Sequence, residues 1–516
     1  MAFKKTTALS SLQIWNSTIL KVSGGIILMM GLVFLLPSLY AYFVSEDPSI
    51  FLYPVPFMII IGLALFLLNA PSKDFSTVNG IFLVIVVWLV LFFIGSIPYI
   101  LAGMSPLNSI FESVSGFTTT GSSTIEDVHA MPESLMVWRS LTQWIGGIAV
   151  VLIFIYILPM FGMGRTFFSN ELEGSGSSQL SMRLKNAASS FIQVYVGLTV
   201  INLLLLLLCN ASVCDAICLS FTTISTGGLL VSNTSLMEMN IWIQIVTIVF
   251  MFIGGTNFYL HFKAIYGRNL KVYTTSKEFR NILLWFFVVS VVIFIAVDWQ
   301  MIASLNFDIG VLATDYKNAL YTVVSLGTTT GSAVFDYTQY PVGIMLLLIV
   351  VMLIGASAGS TSGGIKFTRM RVVLRFFNNT IKNVLHPNAI YSVSLDGETI
   401  DDKRVLNAVS ITLLYFLTTF ITMIVLLSQG LSWQDSLGLA AGTISNAGVG
   451  FGDYGPLGSF NNLSDPIKIF LMFMMWVGRL EITLAIVALT KSFWVDVAHS
   501  MRQNHRSSDH GFRKNE

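Results

Sequence analysis

Long apolar stretches alternate with short polar stretches along most of this chain. A helix needs about 20 apolar residues to cross a bilayer, and ten stretches approach or exceed that length. The pattern therefore predicts an all-α integral membrane protein with ten transmembrane helices. The predicted spans are 22–43, 50–70, 78–101, 138–160, 189–209, 240–262, 281–301, 341–371, 404–428 and 466–495.

A second pattern divides the chain after its first two spans. Each later pair of spans encloses a short, half-apolar stretch that ends in a run of threonine, serine and glycine, closing at Gly121, Gly227, Gly331 and Gly448. The closing glycines lie about 104 to 117 residues apart, and a near-constant period indicates one structural unit used four times. The enclosed stretches are too short to span a membrane. We therefore predict that each enters as a half-helix and returns as extended backbone.

This repeat defines the expected domain organisation, in which two extra helices precede four pore repeats. Each repeat is a helix, a pore half-helix, a filter segment and a second helix, and the four are expected to surround a central pore with pseudo-fourfold symmetry. The expected units are an N-terminal two-helix segment (1–77), repeats at 78–188, 189–280, 281–403 and 404–495, and a cytoplasmic tail (496–516).

The runs themselves suggest a cation pathway. Glycine permits the positive φ values that turn successive carbonyls the same way, and rings of backbone carbonyls can replace the hydration shell of a cation. The alternative is four ordinary turns, which a single copy would favour but four copies do not. The candidate filter residues are Thr119, Thr120, Gly121, Ser225, Thr226, Gly227, Thr329, Thr330, Gly331, Asn446, Ala447 and Gly448.

The second helix of each repeat carries a recurring glycine, and in the third repeat small residues continue for a whole segment. Such a segment holds a helix poorly, so we predict that the helix breaks there into a mobile gate loop. An intact but loosely packed helix is the alternative. The recurring glycines are Gly146–Gly147, Gly254–Gly255, Gly355 and Gly478. The candidate gate residues are Gly355, Ala356, Ser357, Ala358, Gly359, Ser360, Thr361, Ser362, Gly363, Gly364, Lys366 and Arg479.

Arg479 is included because it lies near the middle of the last predicted span. An arginine at that depth faces protein or water rather than lipid and is a functional candidate. A buried structural pair with an acidic residue such as Glu481 is the alternative, although residues two apart lie on different faces of a helix. Lys366 lies nearer an interface and could reach water along its side chain.

Composition and charge agree with a membrane protein. The chain is 54% hydrophobic and 11% charged, whereas soluble proteins average about 25% charged residues. Basic residues concentrate in the loops outside the repeats' span pairs, which places both termini in the cytoplasm, and acidic residues concentrate on the side of the runs. One acidic residue recurs near the start of each of the four half-helices, and these four residues are expected to contribute to capping. They are Glu112, Asp215, Asp315 and Asp435.

The remaining chemistry is sparse. The three cysteines, Cys209, Cys214 and Cys218, are too few for a disulfide framework or zinc site, and we interpret them as packing residues, with a Cys209–Cys214 disulfide as the less favoured alternative. The sequence contains no nucleophile elbow, phosphate loop or spaced metal-ligand set. A membrane enzyme and a receptor with a vestigial pore are therefore the weaker hypotheses.

The runs, the segment Arg139–Gly147, the Ser/Gly-rich loop ending at Lys366 and Arg479 together resemble the Trk/Ktr family of bacterial potassium-uptake proteins in its longer Trk membrane-subunit form. The resemblance implies a gated potassium-translocating subunit of the bacterial inner membrane, a homodimer, and a TrkA-like cytosolic ring that binds the nucleotide. It implies potassium at the filter residues and no cofactor in this chain. It also implies that the loop and Arg479 form the barrier below the filter.

Three features differ from the family pattern. Val449 and Ser332 replace residues expected in the fourth and third runs, and Glu173–Ser177 replaces a proline-glycine stretch within the loop 161–190. The first two bear on ion selectivity and the third on partner docking. A sodium-permeable or sodium-coupled transporter of the same family is therefore the alternative function.

Overall fold

The computed structural model describes residues 17–69, 77–156, 177–229, 231–299, 308–389, 392–480 and 482–498. It is helical, apart from one short antiparallel hairpin of strands Ser394–Leu395 (β1) and Glu398–Thr399 (β2). The chain divides into two compact units, one comprising Met1–Ser113 and Thr483–Glu516 and the other Val114–Ile482.

The first unit begins with two apolar helices that pack closely. They are α1 (Ser17–Val33), which continues into α2 (Leu35–Val44), and α4 (Pro54–Leu68), which follows the short α3 (Ser49–Leu52). A Cβ at Gly24 would approach the amide nitrogen of Phe66 to 2.7 Å, so the absence of a side chain is what permits this contact. The unit also contains α5 (Thr77–Leu101) and most of α6 (Pro106–Phe117).

The second unit contains the remaining helices, several of them kinked or interrupted. They are α7 (Glu133–Tyr156), α8 (Ser177–Leu208), α9 (Val213–Ile224), α10 (Ile241–Gly254), α11 (Phe258–Tyr266), α12 (Lys271–Thr275), α13 (Lys277–Val297), α14 (Ile309–Gly327), α15 (Val342–Ile354), α16 (Phe367–Leu385), α17 (Asp402–Ser428), α18 (Trp433–Ile444) and α19 (Asp465–Arg479); α20 (Ile482–Leu489) begins at the unit boundary.

Within the described residues, six helices are long and apolar enough to cross a membrane, and α10 with α11 forms a seventh candidate that bends by 98°. These seven coincide with seven of the ten predicted spans. The third-repeat span 341–371 is interrupted at 355–366, and 466–495 is divided after Arg479. The span 138–160 extends beyond the described residues. A total of ten crossings therefore stays a prediction.

Short helices occupy all four stretches predicted as half-helices. They are α6, α9, α14 and α18, with 12, 12, 19 and 12 residues. Asp215 and Asp435 lie in the first turn of α9 and α18, as expected for capping residues. The capping prediction is wrong for the other two, because Glu112 lies in the middle of α6 and Asp315 lies within α14, whose cap is Asp308. The three cysteines are free thiols, so the disulfide alternative is excluded.

Candidate functional site

The four threonine runs adopt one shared backbone conformation. Two residues after each half-helix ends, a non-glycine residue takes a left-handed φ between 50° and 57°, and two residues later a glycine takes a φ between 67° and 89°. The first set is Thr119, Thr226, Thr329 and Asn446, and the second is Gly121, Gly228, Gly331 and Gly448. Four segments with different sequences therefore follow the same turn.

This conformation shifts the predicted alignment of the second run by one residue. The amide of Gly227 donates to the Thr222 carbonyl at 2.8 Å, just as the amide of Thr120 donates to the Ser115 carbonyl at 2.9 Å. Gly227 is therefore the counterpart of Thr120, and Gly228, which the sequence analysis left out, is the counterpart of Gly121. Both glycines fit the sequence pattern, and only the positive φ at Gly228 distinguishes them.

The runs also contact one another in a closed cycle. A Cβ built on Gly121 would overlap the carbonyl oxygen of Gly227 in the second run. The same overlap recurs from the second run to the third, from the third to the fourth, and from the fourth back to the first. These pairs are Gly228 with Thr330, Gly331 with Ala447, and Gly448 with Thr120. We call this arrangement the glycine ring; it requires four positions without side chains.

Side-chain hydrogen bonds reinforce the glycine ring. The Asn446 Nδ2 donates to the Thr120 Oγ1 at 3.0 Å and to the Met475 carbonyl at 2.8 Å. The Gln143 Nε2 donates to the Gly227 carbonyl at 2.7 Å. Gln143 was not among the predicted site residues, although its place three residues before the Gly146–Gly147 pair was a usable signal.

The recurring glycines of the inner helices lie against the ends of the half-helices. A Cβ on Gly254 would lie 2.8 Å from the Ile224 carbonyl oxygen, and a Cβ on Gly146 or Gly478 would lie closer still to the carbonyl oxygen of Phe117 or Ile444. Each of those carbonyls belongs to the last residue of the half-helix in the same repeat. In three repeats, therefore, the absence of a side chain lets the inner helix pack closely against the end of the half-helix.

The third repeat departs from this scheme at the predicted break. Helix α15 ends at Ile354, and residues 355–366, which we call the gate loop, are non-helical and almost entirely buried. The loop leaves the helix and returns to the same place, since the amides of Ile365 and Lys366 donate to the Leu353 and Ile354 carbonyls at 2.9 Å. The predicted break is confirmed, and the intact-helix alternative is excluded.

Contacts from several elements hold the gate loop against the glycine ring. The amide of Gly363 donates to the Thr329 Oγ1 at 2.7 Å. The Thr361 Oγ1 donates to the carbonyls of Ile224 and Gly254, both at 3.0 Å. The second repeat thus helps the third to position this segment.

Glu278, in the first turn of α13, is a further contact that the sequence analysis missed. Its Oε1 accepts from the Ser357 Oγ and the Thr368 Oγ1 at 2.6 Å each, and from the Ala358 amide at 3.4 Å. One carboxylate thereby joins the gate loop to the first turn of the helix that follows it. An acidic residue in a basic loop was the only sequence signal, and such residues are common.

Two cations accompany the gate loop. Arg479 is 6% exposed, and its Nη1 donates to the Thr361 carbonyl at 2.8 Å. Lys366 is 4% exposed and donates to the Ser362 carbonyl, so it turns into the protein rather than towards an interface. The alternative partner of Arg479, Glu481, lies outside the described residues.

Arg479, Lys366 and part of the gate loop line a small cavity of about 20 Å³. Its lining includes Ser362, Gly363, Tyr415 and Arg479. A volume above about 10–15 Å³ is enough for one water molecule. The guanidinium therefore lies where a narrow polar space meets the loop.

Comparison with known proteins places the chain in a family. Residues 47–495 match the family model TrkH, described as cation transport protein. The chain belongs to the TrkH family. It is 30% identical over 442 residues to the Trk system potassium uptake protein TrkH of Escherichia coli K12, which covers 84% of this chain and 90% of that protein.

Other members extend this likeness to an archaeon and to a solved structure. An uncharacterized cation transporter of Methanocaldococcus jannaschii is 30% identical over 472 residues, covering 90% of this chain and 93% of the relative. The crystal structure of the potassium transporter TrkH from Vibrio parahaemolyticus superposes with a TM-score of 0.81 at 26% identity, covering 93% of this chain and 99% of that chain. The protein is accordingly a multi-pass membrane protein of a cation-transporter family, whose members are ion transporters rather than enzymes.

Proposed function

We propose that this protein is the potassium-translocating membrane subunit of a Trk-type uptake system. The observation that carries the proposal is the glycine ring, in which four backbone segments of one conformation contact one another in a closed cycle. Such a ring supplies fixed carbonyl oxygens from four sides, which is the chemistry that a dehydrated cation requires. Relatives named as potassium uptake proteins support potassium as the ion.

The pathway runs along the axis shared by the four repeats, and the filter residues now include Gly228 in place of Gly227 as the second closing glycine. Thr120, Gly227, Thr330 and Ala447 contribute main-chain carbonyls. The side chains at these positions differ, so selectivity depends on the backbone. Two spans precede the repeats, giving ten crossings with four-fold pseudo-symmetry.

Below the ring, the gate loop and Arg479 form the barrier. Arg479 contributes a fixed positive charge, which repels a cation more strongly in a low-dielectric site than in water. It also holds the loop through the Thr361 carbonyl. Opening requires this hydrogen bond to break and the loop to withdraw from the Thr329 side chain.

The protein functions in the bacterial inner membrane as a homodimer with cytoplasmic termini. A cytosolic nucleotide-binding ring controls opening, and the nucleotide binds to that partner rather than to this chain. The Trk system named in the relatives supports a multi-component assembly. Mass measurement of the purified protein by light scattering tests the dimer, and a monomer mass would contradict it.

The deciding experiment measures potassium and sodium flux through the purified protein in liposomes, with and without a pH gradient. Potassium-selective flux is expected. Flux that favours sodium would support the alternative transporter, and dependence on the pH gradient would indicate proton coupling.

A filter variant tests which residues carry that flux. In Gly121→Ser, the added Cβ would overlap the Gly227 carbonyl at a φ of 89°, which disfavours any side chain. Potassium uptake should fall at least about tenfold, a barrier change of about 1.4 kcal/mol. Gly343→Ser is the matched control, since a Cβ there meets nothing within 4 Å. If both variants prefer potassium over sodium to the same extent, the assignment of the first run to the filter is wrong.

A deletion tests the gate loop. Gly355 and Gly363, which the deletion would join, already lie close together, since a Cβ on Gly355 would lie 3.4 Å from the Gly363 carbonyl carbon. Removing residues 356–362 should therefore leave chain ends that can be joined with little rearrangement. Basal flux without the cytosolic partner should rise. Unchanged or lower flux in a folded variant would show that the barrier lies elsewhere.

A further inference from the structure

Each half-helix region has two polar residues three positions apart. In the third half-helix, these two residues occupy a different place in the helix. Counting back 12 residues from the last residue of each half-helix gives a serine or aspartate, followed three residues later by an asparagine or aspartate. The pairs are Ser105 and Asn108, Ser212 and Asp215, Asp315 and Asn318, and Ser432 and Asp435.

In the second and fourth repeats this pair caps the helix. The Ser212 Oγ accepts from the Asp215 amide at 3.0 Å and donates to the Asp215 carboxylate at 2.7 Å. Ser432 and Asp435 make the same two bonds at 3.1 and 2.6 Å. The polar side chains of these pairs are therefore occupied by the free amides of the first turn.

The third pair is released from that role because α14 begins at Ile309, seven residues before the position that corresponds to the first residue of α9 and α18. Its cap is Asp308, whose Oδ1 accepts from the Gly310 amide at 2.9 Å and the Val311 amide at 3.3 Å. The amides of Asp315 and Asn318 lie inside the helix and make helical bonds. Their side chains are left to interact elsewhere.

Both side chains line a cavity of about 70 Å³ that Asp298 also lines, at the residue directly after α13. Asp298 and Asn318 are 8% and 9% exposed, and among the described residues neither the Oδ2 of Asp298 nor the Oδ1 of Asn318 has a hydrogen-bond partner. A buried oxygen without a partner costs about 1–3 kcal/mol. Two such oxygens facing one cavity indicate a ligand that both could bind.

The charges at the cavity favour a cation as that ligand. The carboxyl groups of Asp298 and Asp315 lie within hydrogen-bonding reach, and burial, together with the charge of Asp315, raises the pKa of Asp298. Tyr340 adds a hydroxyl, and none of the described residues that line the cavity is basic. The nearest lysine in sequence, Lys317, donates instead to the Gln244 Oε1 at 2.7 Å. Within the part of the chain that the structure describes, no basic side chain of the cavity lining therefore offsets the charge of these carboxylates.

We propose that Asp298, Asp315 and Asn318 form a binding site for a hard divalent cation, separate from the glycine ring. Carboxylate and carboxamide oxygens are the ligands that Ca²⁺ prefers, with water completing its coordination. Two carboxylates carry the charge that one divalent ion neutralises. The cavity is large enough for the ion and at least one water molecule.

The test uses Ca²⁺ and the purified full-length protein in potassium-containing buffer, with thermal unfolding as the readout. Ca²⁺ at 100 times its dissociation constant should stabilise the protein by about 2.7 kcal/mol, seen as a rise of a few degrees in the unfolding midpoint. Asp298→Asn should remove this rise. Asp215→Asn is the matched control, because the Ser212 Oγ still caps α9 in this variant and residue 215 lies outside the cavity.

Equilibrium binding of radioactive Ca²⁺ to the wild-type protein and to Asn318→Ala provides a second measurement that is independent of unfolding. Loss of one high-affinity site in Asn318→Ala, with the site retained in Asp215→Asn, is expected. If Na⁺ at matched ionic strength raises the unfolding midpoint as much as Ca²⁺ does, the proposal is overturned. The proposal is also overturned if Asp298→Asn and Asn318→Ala keep both the rise in unfolding midpoint with Ca²⁺ and the high-affinity binding of Ca²⁺.

Discussion

The glycine ring and the gate loop are both short, buried, non-helical segments rich in small residues, yet different contacts hold them in place. Each run in the ring is held first by its own half-helix, as in the bond from the Thr330 amide to the Ser325 carbonyl at 2.8 Å. The gate loop is held by residues far away in sequence, including Thr329, Glu278 and Arg479.

The difference teaches where rigidity is expected. A turn stabilised by bonds within five residues re-forms locally after a disturbance, and four copies support one another. A loop stabilised by distant side chains loses its position when any of those elements shifts. Segments that move in function are drawn from the less stable parts of a protein, so we expect movement in the gate loop rather than in the ring.

The largest expected effect separates the two glycines of the second run. Gly228→Ala should abolish potassium uptake or lower it more than about tenfold, because its φ of 67° costs a side chain about 1–2 kcal/mol and a Cβ would overlap the Thr330 carbonyl. Gly227→Ala should be milder, since the atoms nearest to its Cβ belong to the flexible Gln143 side chain, which can shift.

Uptake and unfolding midpoint should be measured for both variants. If Gly227→Ala is the more damaging of the two, the second run aligns as its sequence first suggested, and the shift by one residue is wrong.

An intermediate effect is expected at Arg479, where charge and hydrogen bonding can be separated. At an effective dielectric constant of 20 and a separation of about 8 Å, a fixed charge raises the energy of a passing cation by about 2 kcal/mol. Arg479→Ala and Arg479→Gln should therefore increase basal flux about thirtyfold. Arg479→Lys keeps the charge but loses the planar set of donors.

Flux in liposomes distinguishes the two contributions. Wild-type behaviour in Arg479→Lys makes charge the larger one, and alanine-like behaviour makes the bond to Thr361 the larger one. If all three variants keep normal flux and only the unfolding midpoint falls, Arg479 is a structural residue and has no part in the barrier.

The smallest effect is expected at Glu278. In Glu278→Gln the bonds from Ser357 and Thr368 lose their charge assistance, and neutral hydrogen bonds are weaker by about 1 kcal/mol. Basal flux should rise severalfold, while potassium preference stays unchanged because the glycine ring is intact. Glu398→Gln, an exposed glutamate in β2, is the control. A change in selectivity instead of flux would mean that Glu278 acts on the ring.

The comparison also explains what the sequence could predict. The half-helices and the break at Gly355 follow from local features, namely apolar length, glycine and small residues, and they were predicted. The extension of α14 was not predicted, because Asp315 resembles a capping residue in the sequence. The structure shows instead that Asp308 caps this helix. The contacts of Glu278 and Thr361 arise between segments more than 70 residues apart, which no local pattern encodes.

The closed cycle of the glycine ring separates two kinds of evolutionary freedom. Thr120, Gly227, Thr330 and Ala447 each offer a neighbour nothing but a main-chain carbonyl, and three residue types occupy these four places. The next residue in every run is glycine, because it must accommodate that carbonyl. After a duplication, such a ring can drift in the residues that present oxygen while the residues that receive it stay fixed, and four copies can lose their resemblance in sequence without losing their geometry.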